Sequence, residues 1–123
     1  MHDPSDAASV VATFGAAWGA HDLDRVLIHY TDGVELISPA AAALVPSSGG
    51  VIRGKAALRD YWATALPLIP GLHFDLLETL TTAGGVCVLY RNQGGQTVAE
   101  TMLRDSDGQV TNVVVAYGAK PVA

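Results

Sequence analysis

The alternation of apolar and polar residues is most regular near the end of the chain, between Thr97 and Gly118. Two runs there, TVAETMLR and VTNVVVAY, have the period of two that is typical of β-strands. Asp107 and Gly108 lie between them, and an Asp-Gly pair in this position predicts a tight hairpin turn because both residues favour positive φ. A two-residue turn places six paired residues on one face of the sheet: Val98 with Tyr117, Glu100 with Val115, and Met102 with Val113.

Glu100 is the one carboxylate in this otherwise apolar stripe. Apolar surroundings disfavour the charged form of a carboxyl group, which raises its pKa and suits it to general acid or base chemistry near neutral pH. Arg91 and Arg104 occupy neighbouring strand positions, so an ion pair with either of them is the alternative, structural role for this carboxylate.

The length of the loop at Gly94 and Gly95 decides which side chains of the preceding strand share a face with Glu100. A loop of two or four residues places Cys87, Leu89 and Arg91 on that face. A loop of three residues places Val86, Val88 and Tyr90 there. The sequence leaves both alternatives open.

Three amphipathic helices are predicted before the sheet-rich half, and their apolar residues recur at helical spacing. Ser5 or Asp6 caps the first helix, Asp22 caps the second, and Gly54 precedes the third. The three apolar stripes are Val10, Val11, Phe14, Ala17 and Trp18, then Leu23, Val26, Leu27 and Tyr30, then Leu58, Tyr61, Trp62, Ala65 and Leu66.

Short strands are predicted between the helices, and a meander follows them. Residues 31–33 form a turn, residues 34–38 form a strand that Pro39 ends, and residues 51–53 form another short strand. The segment 40–50 lacks periodicity and is either a lid or a surface excursion. Four consecutive antiparallel strands complete the chain: 72–81, 86–92, 97–104 and 110–117. The fold class is α+β, with helices covering one face of a strongly curved sheet in a single domain, 1–123.

The amino-acid composition indicates that this fold also has an apolar cavity or a partner interface. Half of the residues are hydrophobic and only 15% are charged, so part of the apolar surplus must line a cavity or a partner surface. The net charge of −5 without a basic stripe argues against nucleic acid. No apolar run reaches the length of a membrane span, and the polar start MHDPSD predicts no signal peptide, which indicates a cytoplasmic protein.

Metal and cofactor chemistry have no sequence support. His21 and His29 lack the carboxylate and cysteine partners of a zinc site, and no glycine-rich phosphate loop occurs. Cys87 is expected to be a small buried hydrophobe. His73 and Asp75 alternate with a larger apolar set and are expected to point outward. We therefore expect neither a metal nor a cofactor.

Three strings resemble the nuclear transport factor 2-like superfamily and, within it, the SnoaL-like group: FGAAWGAHDLDRVLIHYTDGVELISP, GVIRGKAALRDYW and AETMLRDSDGQVTNVVVAY. The resemblance covers the chain from about Ala8 to Tyr117. It implies a cone in which a curved, mixed and mainly antiparallel sheet wraps around the helices, with an apolar cavity between the sheet and the first helices. Members of this superfamily include isomerases, cyclases, dehydratases and non-enzymatic proteins, so the fold does not decide the activity.

Ketosteroid isomerases in this superfamily provide a comparison of functional positions. Their general base is an Asp before the Pro that ends the first strand, where this chain has Ser38. Their oxyanion hole pairs a first-helix Tyr, matched here by Phe14, with a protonated carboxylic acid, matched by Glu100. Tyr30 and Trp62 occupy the supporting aromatic positions. The resemblance therefore implies the isomerase pocket without the standard isomerase machinery.

The hypothesis from sequence is a binding protein for a small apolar, polyketide- or steroid-like molecule. Glu100 is the candidate acid or base of a cofactor-independent isomerisation, cyclisation or dehydration, and a ligand-binding or interaction module without turnover is the alternative. The expected binding residues are Phe14, Trp18, Tyr30, Ser38, Trp62, Met102, Val115 and Tyr117. The family resemblance also implies a homodimer through the outer face of the sheet, defined by Thr97, Ala99, Thr101, Asn112, Val114 and Ala116.

Overall fold

A computed structural model describes residues 22–69, 71 and 73–119 of the chain. Within these residues there are three α-helices: α1 (Leu23–Leu27), α2 (Pro39–Leu44) and α3 (Lys55–Ala65). Six strands accompany them: β1 (Tyr30–Ile37), β2 (Val51–Arg53), β3 (Asp75–Thr82), β4 (Gly85–Arg91), β5 (Thr97–Arg104) and β6 (Val110–Tyr117). The first predicted helix, with Phe14 and Trp18, lies outside the described residues.

The strands form one mixed sheet in the order β2-β1-β6-β5-β4-β3. Each neighbouring pair is antiparallel except β1 and β6, which are parallel. A parallel pair needs a long crossover, and here the chain from β2 to β5 makes it. The structure confirms the α+β class and the curved, mainly antiparallel sheet that the sequence predicted.

The hairpin between β5 and β6 has the predicted pairing but a longer turn. Glu100 pairs with Val115, and its neighbours pair as predicted. The Asp105 N–H donates to the Gln109 carbonyl at 2.9 Å, and Gly108 has φ of +79°, so the loop contains three residues instead of two. A register shift between Leu103 and Arg104 adds the compensating residue. The bulge therefore restores the register that a two-residue turn would have given.

The loop between β4 and β5 contains three residues. The Asn92 N–H donates to the Gln96 carbonyl at 3.0 Å, and the Asn92 Oδ1 accepts the N–H groups of Gly94 and Gln96. The adjoining register pairs Tyr90 with Val98 and Val88 with Glu100. The alternative with Val86, Val88 and Tyr90 on the Glu100 face is therefore the correct one.

Tyr30 begins β1 instead of ending a helix, and residues 31–33 lie within that strand instead of forming a turn. Both predictions were wrong because pairing with β6 lengthens β1 at its N-terminal end. Tyr30 pairs with Val110, and the Val110 N–H donates to the His29 carbonyl at 2.8 Å. The register shifts between Tyr30 and Glu35, where the polar residues interrupt regular pairing.

The segment 40–50 is mostly helical, so the prediction of a loop was wrong. Ser38 is the N-cap of α2, and its Oγ accepts the Ala40 N–H at 3.2 Å. Pro39 occupies the first turn, where its missing N–H costs nothing. A short 3₁₀ turn, Pro46–Ser48, then leads to β2.

The core lies between α3 and the concave face of the sheet. Leu58, Tyr61 and Trp62 of α3 are buried, as their spacing predicted. The Tyr30 ring meets the Trp62 ring edge to face, with centroids 5.4 Å apart. This packing holds α3 over β1 and β2 and leaves open space farther along the concave face.

Outward-facing positions include the predicted pair of His73 and Asp75, whose side chains are exposed and lie 2.7 Å apart. Cys87 is only partly buried, so the expectation of a fully buried thiol was wrong. It pairs with Thr101 and Leu80 on the face of the sheet opposite Glu100.

Candidate functional site

A cavity of about 440 Å³ opens between the concave face of the sheet and the helices. Strands β1, β4, β5 and β6 supply one wall, and α2, α3 and the 3₁₀ turn Leu66–Leu68 supply the other. Its lining is mainly aliphatic and aromatic, and the described lining residues include no Lys, Arg or His. Such a lining with a few polar groups is typical of a small-molecule site.

Glu100 lies in this cavity at the centre of the sheet wall. The Tyr90 hydroxyl donates a hydrogen bond to Glu100 Oε2 at 3.2 Å. Tyr90 reaches it from a diagonal position, because Glu100 pairs with Val88 and Tyr90 pairs with Val98. No other hydrogen bond to this carboxyl group comes from the described residues.

Burial raises the pKa of the Glu100 carboxyl, and the hydrogen bond from Tyr90 opposes part of that rise. Glu100 is nevertheless only half-buried by accessible surface, since one side of it faces the open cavity. The carboxyl is thus removed from bulk water and remains accessible to a ligand. A raised pKa makes its ionised form a stronger base and its neutral form available at higher pH.

Tyr90 is held in place by Phe74, whose ring lies edge to face against it at a centroid distance of 4.9 Å. Burial raises the pKa of the Tyr90 phenol, and the nearby Glu100 charge raises it further. The phenol therefore stays protonated at physiological pH. It is a fixed neutral donor beside Glu100.

Ser38, Tyr61 and Tyr117 form a second polar group in the cavity, which we call the hydroxyl cluster. Burial raises the pKa of Tyr61 to about 12 and also raises the pKa of Tyr117. The Ser38 hydroxyl offsets part of both rises, because a hydroxyl that can donate to a phenolate stabilises its charge. Ser38 is 4% exposed and Tyr117 is 37% exposed, so the cluster runs from the interior toward the cavity mouth.

Six of the residues predicted from sequence line the cavity: Glu100, Ser38, Trp62, Met102, Val115 and Tyr117. Tyr30 does not line it. Its side chain is buried in the core beside Trp62. Burial raises the pKa of the Tyr30 phenol, and the Glu100 charge raises it further. Phe14 and Trp18 lie outside the described residues.

The ion pair that the sequence left open does not form among the described residues. Arg91 is exposed and lies on the opposite face of the sheet from Glu100. Arg104 makes no salt bridge with it either, and two of the Arg104 guanidinium nitrogens are buried without a hydrogen-bond partner among the described residues. Neither arginine neutralises the carboxylate.

Tyr61 and Tyr90 were not among the predicted binding residues, although both line the cavity. Tyr61 belongs to the α3 stripe, and helical spacing alone does not distinguish a core residue from a cavity residue. The face of the sheet on which Tyr90 lies depended on the length of the loop at Gly94 and Gly95. The signal for a three-residue loop was Asn92, whose short side chain can bond to the turn backbone.

The described part of the chain contains no group of three or more His, Cys, Asp or Glu residues placed to hold a metal ion. In the same residues, no helix is both long and apolar enough to cross a membrane.

The described residues form an α+β protein with an apolar cavity on the concave face of its sheet. Residues 11–117 match the family model of the SnoaL-like domain, and the chain belongs to this family. The SnoaL-like resemblance of the sequence is thereby confirmed. No match was found among curated proteins.

Three solved structures illustrate the relationship. A SnoaL-like protein of unknown function from Burkholderia thailandensis is 33% identical, with a TM-score of 0.89 over 97% of this chain and 100% of that one. A proposed polyketide cyclase from Sinorhizobium meliloti is 13% identical, with a TM-score of 0.71 over 88% and 94%. TerC, co-crystallised with polyporic acid, is 16% identical, with a TM-score of 0.73 over 92% of both chains. At the two lower identities the similarity shows the fold alone.

Proposed function

We propose that this SnoaL-like protein binds a small, apolar, oxygen-bearing molecule in the cavity and that Glu100 exchanges a proton with it. The observation that carries the proposal is a half-buried carboxyl group in an apolar cavity, hydrogen-bonded by Tyr90 on one oxygen. A buried carboxylate without a counter-ion is costly to a fold, which argues for a role beyond packing.

The lining selects the class of ligand. A cavity of about 440 Å³ accommodates a molecule of a few fused rings, and its aliphatic and aromatic walls favour an apolar skeleton. No described lining residue supplies a positive charge, so an anionic ligand would meet Glu100 without compensation. A neutral polyketide- or steroid-like compound fits these conditions.

Glu100 gives this site a plausible acid–base step. Its carboxylate accepts a proton from a carbon next to a ligand carbonyl, and the electron pair of that C–H bond moves to the carbonyl oxygen to form an enolate. Once Glu100 is protonated, the neutral Tyr90 phenol is free to turn its one hydrogen from the carboxyl group to the ligand oxygen on which this charge develops. In an isomerisation, Glu100 returns the proton to the far carbon of a conjugated dienolate, and the electron pair on oxygen re-forms the carbonyl as the C=C bond shifts. In a cyclisation, the enolate carbon attacks a second carbonyl to form a C–C bond, and the resulting alkoxide takes the proton back from Glu100.

Binding without turnover is the second candidate function, and the identity of Ser38 favours it. Ketosteroid isomerases have an Asp base at the corresponding position, whereas the Ser38 Oγ accepts the Ala40 N–H and caps α2. Glu100 is therefore the one carboxyl group among the described lining residues. A single acid–base group can exchange a proton with a ligand. A mechanism that needs both a general acid and a general base would lack its second group.

Calorimetry with 2-naphthol and naphthalene tests the binding half of the proposal. These two ligands differ only in a hydroxyl group that can hydrogen-bond to Glu100. We expect 2-naphthol to bind about ten-fold more tightly, because a hydrogen bond to a carboxylate contributes more than one between neutral groups. Glu100→Gln should reduce that preference, while Glu78→Gln, on exposed β3, should retain it. Absence of binding by both ligands would contradict the proposal.

Deuterium exchange at the carbon next to the carbonyl of 1-tetralone separates the two candidate functions. Proton transfer to Glu100 predicts faster exchange with the wild-type protein than in buffer, and loss of the acceleration in Glu100→Gln. Tight binding of 1-tetralone with exchange at the buffer rate would instead favour the non-catalytic function. Nuclear magnetic resonance in heavy water measures both rates directly.

A further inference from the structure

The hydroxyl cluster of Ser38, Tyr61 and Tyr117 is a second polar feature of the cavity that the acid–base step at Glu100 does not require. All three residues line the cavity: Ser38 caps α2, Tyr61 lies on α3 and Tyr117 ends β6. No described hydrogen bond joins Tyr117 to Glu100. The cluster is therefore a separate polar position within the same apolar space.

The sheet register fixes the distance between the two polar positions. Glu100 on β5 pairs with Val115 on β6, so Tyr117 is its diagonal neighbour on the same face of the sheet. Diagonal neighbours on adjacent strands lie about 7–8 Å apart. A ligand of two or three fused rings can therefore reach both positions.

The cluster offers a surplus hydrogen-bond donor. Ser38 Oγ already accepts the Ala40 N–H, and each of the three hydroxyl groups carries one hydrogen. If the three hydroxyls bond to one another in a chain, one hydrogen remains for an outside acceptor. The raised pKa values of Tyr61 and Tyr117 keep both phenols protonated, so this donor persists at physiological pH.

We propose that Ser38, Tyr61 and Tyr117 form a carbonyl-binding subsite, and that the ligand carries a carbonyl oxygen there and a second oxygen at Glu100. This inference rests on the proposed function, because it names the chemistry of a ligand in the same cavity. A carbonyl accepts the surplus hydrogen without bringing in charge. A carboxylate at this position would face Glu100 with no described cation in the lining.

A matched ligand pair isolates the carbonyl group. The probes are 6-hydroxy-1-tetralone and 5,6,7,8-tetrahydro-2-naphthol, which share a fused-ring skeleton and a phenol and differ in the ketone. We expect the ketone to bind the wild-type protein about five-fold more tightly, the effect of one net hydrogen bond. Tyr117→Phe should remove most of that preference, and Tyr61→Phe provides a second, independent test.

Two controls assign the preference to the subsite. Thr101→Val lies on the outer face of β5 and should retain the wild-type preference. Glu100→Gln should weaken binding of both probes while preserving their ratio, since both carry the phenol. Thermal melting by circular dichroism verifies that each variant is folded before its affinities are compared.

The outcomes separate this inference from the proposed function. Equal affinity of the wild-type protein for the two probes, or an unchanged preference in both phenylalanine variants, would overturn the carbonyl subsite and leave cavity binding intact. No measurable binding of either probe would overturn the cavity function and the subsite with it.

Discussion

The Tyr90 hydroxyl donates to Glu100 Oε2 at 3.2 Å from a diagonal position on the adjacent strand. The bond occupies one carboxyl oxygen and leaves the other without a hydrogen-bond partner among the described residues. The Phe74 ring packs edge to face against the Tyr90 ring. The position of the Glu100 carboxyl group is therefore set by β5, by the hydrogen bond from Tyr90 and by the packing of Phe74 on Tyr90. Such a carboxyl group is preorganised for a ligand.

Replacement of Glu100 is expected to change how stability depends on pH. Burial raises the pKa of this carboxyl in the folded chain, so the stabilisation from its bound proton is fully present below the unfolded pKa and is lost as pH rises through the folded pKa. Glu100→Gln removes this loss of stability at high pH, because the amide does not ionise. Its melting temperature should match the wild type at about pH 4 and exceed it at about pH 8.

Exposed Glu78 provides the matched control for that measurement. Glu78→Gln should follow the wild-type melting temperature across the same pH range. A Glu100→Gln variant that is less stable than wild type at the higher pH would show that the ionised carboxylate stabilises the fold.

Removal of the Tyr90 hydroxyl is expected to raise the pKa of Glu100 further. The hydrogen bond from Tyr90 stabilises the carboxylate and so lowers this pKa. Tyr90→Phe keeps the ring that packs on Phe74 and should cost about 1 kcal/mol of folding free energy. A carboxyl-carbon titration by nuclear magnetic resonance, with Glu100→Gln used to assign the signal, measures the shift. An unchanged or lower pKa would mean that the bond is absent in solution.

Gly85 is expected to tolerate no side chain, because a Cβ at this position would lie 2.0 Å from the Met102 carbonyl oxygen. Gly85→Ala must separate β4 from β5 locally, at a cost of about 2 kcal/mol. Urea unfolding measures the loss. Gly94→Ala is the control, since its nearest contact would be Asn92 Oδ1 at 3.5 Å. Equal stabilities of the two variants would refute the close approach.

The outer face of the sheet remains the proposed dimer interface. Val114 on this face is 44% exposed and pairs with Thr101, and Ala116 pairs with Ala99. Light scattering should give twice the monomer mass of 12.7 kDa for the wild type. Val114→Lys should give the monomer, and Ser106→Lys, in the exposed hairpin turn, should stay dimeric. A monomeric wild type would remove the proposal.

Local patterns predicted much of this fold because strand alternation and helical spacing report which face is buried. The alternation around Glu100 predicted its register with Val115 even though the turn chemistry differed. The same logic failed at Tyr30, whose helical spacing from Leu23 was outweighed by pairing with β6. Long-range parallel pairing leaves no local signal in the sequence.

The candidate site was partly predictable for a similar reason. Glu100 stood out as a charge in an apolar stripe that also contains Tyr117, and Ser38 followed from the comparison with the ketosteroid isomerases. Tyr90 could not be assigned until the loop length was known, because a change of one residue moves every side chain to the other face. The N-capping role of Ser38 was readable from the Ser-Pro pair and was missed when 40–50 was interpreted as a loop.

A crystal structure with bound 2-naphthol would show whether Glu100 contacts a ligand in the cavity. We expect the rings in the cavity and the hydroxyl within hydrogen-bond distance of the Glu100 oxygen that Tyr90 does not contact. The naphthalene complex is the control and should show the rings in the same cavity without a fixed orientation. A 2-naphthol molecule bound outside the cavity, or inside it with the hydroxyl directed away from Glu100, would contradict the proposed role of Glu100.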